Sequence, residues 1–291
     1  MECRVTARQV LPGVYHLSDR MGMHCTLLKG EHAALLFDTA YGLDDLKEAV
    51  AQITDLPLTV ICSHGHHDHA CGNFQFDQVL MDEKEFPYCE KYAGSWRARV
   101  WGQAVAKGLD LSDWQERDFL NAGYGKMAPL DKECFDLGGM TARVVRMPGH
   151  TPGSIGLYLE ELKCMLAGDN FNPTTWLFFD EAMPMAVHQQ SLQIMLSYPF
   201  THVLCSHGDD LAPREEMERF AAGITKEHIA EAALPQPGLF PGIRVYGFSP
   251  AEGYWFCFDA DKLPSDWHEA LMARRPWPEE NEKNKNREEN A

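Results

Sequence analysis

His64-Gly65-His66-His67-Asp68-His69 is the stretch on which the reading of this chain turns. It follows Leu58-Thr59-Val60-Ile61-Cys62, a short apolar run rich in β-branched residues, which reads as a buried strand. In extended backbone, residues two apart face the same side, so His64 and His66 can address one metal ion while His67 faces away. Asp68 and His69 can serve a second ion if the chain turns there. Packing so many ligand-type side chains into six positions is costly for a plain core, because each buried polar group needs a partner.

Working outward, the same arrangement recurs three times. Strand-like runs at Thr141–Met147, Lys163–Ala167 and His202–Cys205 lead into Pro148-Gly149-His150-Thr151, Gly168-Asp169-Asn170 and Ser206-His207-Gly208. Strand ends share one rim of a sheet, so these distant segments can converge there. His150 then completes a first site with His64 and His66, and His207 a second with Asp68 and His69. Asp169 has two oxygens and is suited to bridge. Imidazole and carboxylate ligands without thiolate suit zinc, with iron and manganese as alternatives, so two Zn²⁺ per chain are expected. The seven-residue set is His64, His66, Asp68, His69, His150, Asp169 and His207. Asp68 and Asp169 are its catalytic candidates, Asp68 as the residue that orients a hydroxide and shuttles its proton. His16, His24, His32, His188, His202, His228 and His268 are read as structural or exposed.

The remaining pattern is layered. Val14–Leu17, Cys25–Leu28, Ala33–Phe37, Thr141–Met147 and Ser154–Leu159 read as strands, while 43–53, 187–197 and 213–233 have helical spacing. Mixed strands and helices of this order argue for an α/β architecture in one domain, residues 1–275. A Trp-rich helical insert at about 82–130 falls between two ligand-bearing strand ends. It is read either as a cap over the site, with Trp96 or Trp101 as an apolar wall, or as a packed helical pair without substrate contact. Arg97, Arg99, Lys107 and Lys126 within it either meet an anionic substrate or form a solvated face. Trp176-Leu177-Phe178-Phe179 reads as pocket wall or core. A late hairpin is expected at about 243–258, and a polar, disordered tail at 276–291.

Composition narrows the function classes. The formal net charge of −17 disfavours nucleic acid as a partner and leaves a small molecule as the expected substrate. Nine scattered cysteines without a C-x-x-C pair fit free thiols in a reducing, cytoplasmic setting. The N-terminus does not read as a signal peptide, and no run has the length of a membrane span. The oligomeric state is left open, a homodimer included.

On His64-x-His66-x-Asp68-His69, His150, Asp169 and His207, with Asp38 in Leu35-Leu36-Phe37-Asp38-Thr39, the chain resembles the metallo-β-lactamase-fold hydrolases over roughly residues 12 to 210. The resemblance implies a four-layer αββα sandwich: two mixed β-sheets face to face, helices outside, and a dinuclear site at one edge. It implies that Asp38 orients a ligand rather than binding metal. It also implies a hydrolase in which a hydroxide shared by two divalent ions attacks an ester, thioester, lactone, amide or phosphoester. The alternatives are a mononuclear-iron oxidoreductase of the persulfide dioxygenase kind and a non-catalytic metal-binding regulatory module. The segment after Asp169 lacks the lactonase pattern with its nearby Tyr.

The alternation argument makes a direct prediction. His66→Ala abolishes hydrolysis and lowers metal content, whereas His67→Ala keeps metal content and leaves activity within about a few-fold of the parent. Elemental analysis and steady-state rates on the two variants check it. Metal loss confined to His67→Ala would reverse the assignment.

Overall fold

The computed structural model of the chain describes residues 3–240 and 242–278. Antiparallel strands β1 (Thr6–Leu11), β2 (Val14–Ser18), β3 (His24–Lys29) and β4 (Ala34–Phe37) open the fold. Helix α1 (Leu46–Ala51) then returns the chain so that β5 (Leu58–Ile61) lies parallel to β4. Helix α2 (His67–Ala70), β6 (Val79–Met81), α3 (Phe86–Ala106), α4 (Glu116–Leu120) and β7 (Met127–Pro129) follow, completing a seven-stranded mixed sheet in the order β1 to β7.

The second half begins with β8 (Cys134–Asp136), β9 (Thr141–Arg146), β10 (Ile155–Leu159) and β11 (Cys164–Leu166). Strand β12 (Thr174–Leu177), helix α5 (Met185–Leu196), β13 (His202–Leu204) and β14 (Ala212–Pro213) come next. After them lie α6 (Arg214–Gly223), α7 (Lys226–Ala232), β15 (Leu234–Pro235), β16 (Val245–Phe248), β17 (Trp255–Asp259) and α8 (Ser265–Arg274). The second sheet has the order β14-β13-β11-β10-β9-β8, and a third, smaller sheet the order β12-β17-β16-β15.

Strand alternation explains the layers. Leu28, Leu35 and Ile61 of the first sheet meet Val144, Leu157 and Leu204 of the second in one apolar layer. Their neighbours Leu27, Leu36 and Val60 project to the other face, against Leu46 and Val50 of α1. Val145, Met165 and Val203 face outward from the second sheet onto Leu192 of α5, Phe220 of α6 and Phe256 of β17. Burial of each such side chain contributes about 1.5–3 kcal/mol. This is the expected αββα sandwich, with the third sheet as an addition outside the second.

Several elements differ from the reading of the sequence. The helical run 213–233 is broken after Gly223, where a Cβ would lie 1.9 Å from the Pro250 carbonyl oxygen. Thr225 then caps α7 by accepting from the His228 amide at 3.1 Å. Trp277, assigned to the tail, packs 5.4 Å from the Tyr246 ring, because a large aromatic side chain found apolar surface. The rest of the tail, 279–291, lies outside the described residues. Strand β1 carried no signal, since its side chains are mostly exposed.

The topology positions the site. Strand β10 is antiparallel to β9 and β11, and β11 is parallel to β13, so β9, β11 and β13 end at one edge. The parallel strands β4 and β5 end together in the facing sheet. The Ile155 amide donates to the Ser63 carbonyl at 2.9 Å, and the His24 amide to the Ser206 carbonyl at 3.1 Å, joining the two sheets there. Among the described residues no helix is long and apolar enough to cross a membrane, and all nine cysteines are free thiols.

One core residue ties the fold to pH. His16 is buried, stacks 4.8 Å from His24, and neither of its ring nitrogens has a partner. Burial, followed by repulsion from His24 and Arg8, lowers its pKa to about 3. Below the ordinary histidine value of about 6.5 the unfolded chain takes up a proton that the folded chain refuses, so stability falls as pH drops towards 3. His16→Phe should remove that term. Denaturant melts across this window should show the variant gaining on the parent by up to roughly 1.4 kcal/mol per pH unit. Parallel pH profiles would refute it.

Candidate metal centre

Asp38 begins the site. It ends β4 with a left-handed φ of 70° and is fully buried. Its Oδ1 accepts the Ser63 amide at 2.6 Å, and its Oδ2 accepts the Ser63 hydroxyl at 2.9 Å and His69 Nδ1–H at 2.8 Å. Asp38 thus orients the histidine loop from behind and is not part of either ligand cluster. The strand ends at Ile61; Ser63, His64 and Gly65 form a bend, and His66 stands just before α2.

Two groups of ligand atoms come together. His64, His66 and His150 form one; Asp68, His69, Asp169 and His207 form the other, all ligand atoms in each group lying within 4.8 Å of one another. Their arrangement fits cations. His150 Nδ1 donates to the Trp176 carbonyl at 2.6 Å, so its Nε2 carries a lone pair. His66 Nε2 donates to Glu181 Oε1 at 2.6 Å, so its Nδ1 also carries one. Those two lone pairs face each other across 2.8 Å. Ser63 Oγ gives its proton to Asp38 and accepts from His64 Nδ1–H at 2.9 Å, which leaves His64 Nε2 as a third lone pair 3.1 Å from His66 Nδ1. These tautomers follow from the acceptors. Three converging lone pairs repel unless a cation lies between them.

The second group argues the same way. His69 donates through Nδ1 to Asp38, so its Nε2 presents a lone pair to Asp169 Oδ1 at 3.2 Å. That buried Nε2 has no hydrogen-bond partner. His207 Nε2 lies 3.3 Å from Asp68 Oδ2 and 3.4 Å from Asp169 Oδ2. Asp169 Oδ2 is also 3.6 Å from His150 Nε2, so this carboxylate spans both groups. Asn172 Nδ2 fixes it by donating to Oδ1 at 2.8 Å.

The electrostatics separate the groups. Burial, then the imidazoles of His69, His66 and His150, holds the His64 pKa well below its ordinary value. Burial and His66 lower His150 to about 4. Both are therefore neutral and ligand-competent near pH 7. Burial opposes charge on Asp68 and Asp169; protonated His69 and His207, whose own pKa values these carboxylates raise against burial, would outweigh it, and a divalent cation among the four groups supplies the same positive charge while leaving both imidazoles neutral. The negative field around His69 and His207 is one that a divalent cation satisfies.

Two residues central to this arrangement were missed in the sequence. Buried Glu85, just before α3, accepts the Gly65 amide at 2.9 Å and the Gly153 amide at 2.6 Å, bracketing the loops that carry His64, His66 and His150. Burial raises its pKa, against the pull of those two amides. A Cβ at Gly65 would meet Cys89 Sγ at 2.8 Å, and one at Gly153 would meet Glu85 Cγ at 2.8 Å. Glu181, also buried, orients His66. Its loop is held by Lys262, whose ammonium donates to the carbonyls of Asp180 at 3.2 Å and Ala182 at 2.5 Å.

Asp209 and Asp210 follow His207 closely but pair with His24 and Arg8, outside both groups. The spare histidines are outside them too, and His188 Nε2 meets the Asn170 carbonyl at 2.9 Å. His67 is in neither group, yet it lines the cavity beside Trp96, because the turn into α2 ends the strand alternation. Trp96 lines the cavity, whereas Trp101 packs with Phe119 on the other side of α3. Arg97 is neither solvated nor substrate-facing: it is fully buried, and its guanidinium donates to the carbonyls of Cys71, Phe119 and Gly123. Trp176 and Phe179 line the cavity, while Phe178 is buried behind them. The cavity above both groups has a volume of about 480 Å³.

Comparison with known proteins agrees with this geometry. A family model described as the metallo-beta-lactamase superfamily matches residues 20–207. Acyl-coenzyme A thioesterase MBLAC2 of Homo sapiens is 26% identical over 157 residues, which cover 49% of this chain and 56% of that protein. Hydroxyacylglutathione hydrolase of Synechococcus sp. (strain JA-2-3B'a(2-13)) is 30% identical over 122 residues, 42% of this chain and 38% of that protein. The chain thus spans about half the length, or less, of these curated relatives. The crystal structure of a beta-lactamase domain protein from Burkholderia ambifaria matches in fold, with a TM-score of 0.55 at 24% identity over 75% of this chain and 76% of that one.

The Glu181–His66 bond yields a prediction about metal affinity. Glu181→Ala should weaken binding at the three-histidine group by about 10–100-fold in a chelator competition, and Glu181→Gln by less, since its amide oxygen can still accept. Affinity at the other group should hold. Equal weakening at both groups, or none, would deny Glu181 a positioning role.

Proposed function

The chain belongs to the metallo-beta-lactamase superfamily, and from that premise we propose that it is a metal-dependent hydrolase of small thioesters or esters. The observation that carries this reading is the pair of ligand groups spanned by Asp169 at the floor of an enclosed cavity. The thioester preference rests on the two relatives, whose printed names both concern acylated thiols.

His64, His66 and His150 would hold one divalent ion, and Asp68, His69 and His207 the other, with Asp169 between them. Zinc is the first candidate for both, with iron and manganese as alternatives. Such ions supply Lewis acidity and a water of lowered pKa. The protein's own contribution is positioning and proton transfer. Asp68 lines the cavity with an ionised carboxylate placed to orient the attacking water and accept its proton. As the new C–O bond forms the C–S or C–O bond to the leaving group breaks, and the proton passes to the departing thiolate or alkoxide. Neutral His64 and His150 leave the first group without negative charge, a setting suited to polarising the acyl oxygen. Trp96 and Phe179 narrow the space above His66 and limit water access. A mononuclear iron oxidoreductase needs only one ligand group, so the presence of both favours hydrolysis.

Protein purified without chelator is expected to carry two divalent ions per chain by elemental analysis, mostly zinc, and to hydrolyse members of a thioester and ester panel. Asp169→Asn should lower occupancy of both sites and cut kcat/KM by roughly 100-fold or more, about 3 kcal/mol. Asp209→Ala and Asp210→Ala should keep both ions. A content fixed near one ion after reconstitution would reject the dinuclear reading.

A further inference from the structure

Helix α3 presents Tyr92, Trp96, Arg99 and Gln103 to the cavity, spaced 4, 3 and 4 residues apart, so they share one helical face. The neighbouring face, with Cys89, Arg97, Val100 and Ala104, is buried in the body of the protein, and the Arg97 guanidinium pins it there. The cavity face changes character along its length. At one end the Tyr92 and Trp96 rings stack at 4.7 Å, and the Trp96 ring stands 5.4 Å from His66. Phe179, from the segment after β12, approaches the same His66 to 5.0 Å, with Trp176 and Phe240 beside it. An aromatic slot therefore opens over the three-histidine group.

One turn further on stands Arg99. It forms no ion pair with any described residue, in a chain of net charge −17. Tyr41, which also lines the cavity, packs with Val100 and Ala104, the residues that follow Arg99 and Gln103 on α3, so these two polar side chains stand at the Tyr41 end of the cavity. Lys91, near the aromatic end, differs: it lies over Tyr92, with Asp180 and Glu181 close enough to offset it. The unpaired cation thus lies beyond the slot, at the Tyr41 end.

We propose that α3 divides the cavity into an acyl subsite between Trp96 and Phe179 and a leaving-group subsite where Arg99 and Gln103 receive a negatively charged thiol portion of the substrate. This assignment rests on the thioester reading above and adds the substrate class: an apolar, preferably aromatic, acyl group on an anionic thiol. Aromatic side chains beside His66 favour a flat acyl group, because a ring can stack on or meet them edge to face. Arg99 selects the thiol because a cation at a partly enclosed wall attracts phosphate or carboxylate more strongly than in open water.

The test compares Arg99→Ala and Trp96→Ala with the parent holoenzyme on benzoyl thioesters of coenzyme A and of neutral N-acetylcysteamine, and on acetyl-coenzyme A. Arg99→Ala should raise KM about tenfold for benzoyl-coenzyme A and far less, about twofold at most, for the neutral thioester. Trp96→Ala should lower kcat/KM for both benzoyl thioesters about tenfold while acetyl-coenzyme A falls about threefold or less, with Trp96→Phe restoring most of the loss. Metal content should be unchanged in all variants. Equal losses on charged and neutral thiols, or on acetyl and benzoyl groups, would overturn the division. Binding of the unreactive S-benzyl-coenzyme A and S-benzyl-N-acetylcysteamine is measured by calorimetry in parallel. If the parent hydrolyses no thioester, the reaction reading falls, and these titrations still decide the subsites. An Arg99-dependent preference for the charged thioether upholds them; its absence sinks them.

Discussion

The carboxylate of Asp38 is buried and, among the described residues, pairs with no lysine or arginine, and the rest of the centre is arranged around that fact. Its charge is met by one amide, one hydroxyl and one imidazole N–H, all from the loop between Ser63 and His69. A buried anion of this kind is costly unless each oxygen is satisfied. Satisfying it fixes the end of β5, the tautomer of His69 and, through the Ser63 hydroxyl, the tautomer of His64. The Ser63 carbonyl accepts from Ile155, so the same loop is joined to the second sheet. The left-handed backbone at Asp38 is strain that persists because these bonds determine it from several directions.

The two ligand groups differ in polarity by construction. One consists of imidazoles, two of which, His64 and His150, are held neutral by burial and by neighbouring imidazoles. The other gathers carboxylates around two histidines. Outward partners set that difference: a serine, a glutamate and a carbonyl behind the first group, an aspartate behind the second. The cavity wall formed by α3 also changes along its length, aromatic at Trp96 beside His66 and cationic at Arg99 one turn further on.

Much of this was legible in the sequence because it is local. A ligand-type residue that follows directly on an apolar strand is visible in a window of ten residues, and four such windows contain the side chains that the fold gathers into the two clusters. The helical insert was legible from its aromatic and helix-forming content, and so was its place over the site. What escaped is non-local. Glu181 meets His66 across 115 positions and Glu85 meets Gly153 across 68, and neither is flanked by any pattern that marks it. Arg97 escaped for another reason. Charge usually signals solvent, yet a guanidinium can be buried where main-chain carbonyls and aromatic rings surround it. His67 was placed by strand alternation, but the strand ends at Ile61 and the ligand loop is a bend leading into α2. The third sheet was seen only as its hairpin, since β15 has two residues and β12 lies inside an aromatic run that reads equally well as wall or core.

The bracket formed by Glu85 between Gly65 and Gly153 bears on how such a chain can diverge. Both glycines are needed because a side chain at either would strike Cys89 or Glu85 itself, and the glutamate is needed because both amides point at it. No single replacement at positions 65, 85 or 153 leaves the other two unaffected. Aspartate at 85 would be too short to reach both amides, and alanine at 65 would demand a smaller residue at 89. These four positions therefore form one unit of inheritance: drift at any of them is blocked unless a compensating change at another comes first. Relatives that have lost the glutamate should have rebuilt the whole corner rather than altered a single residue.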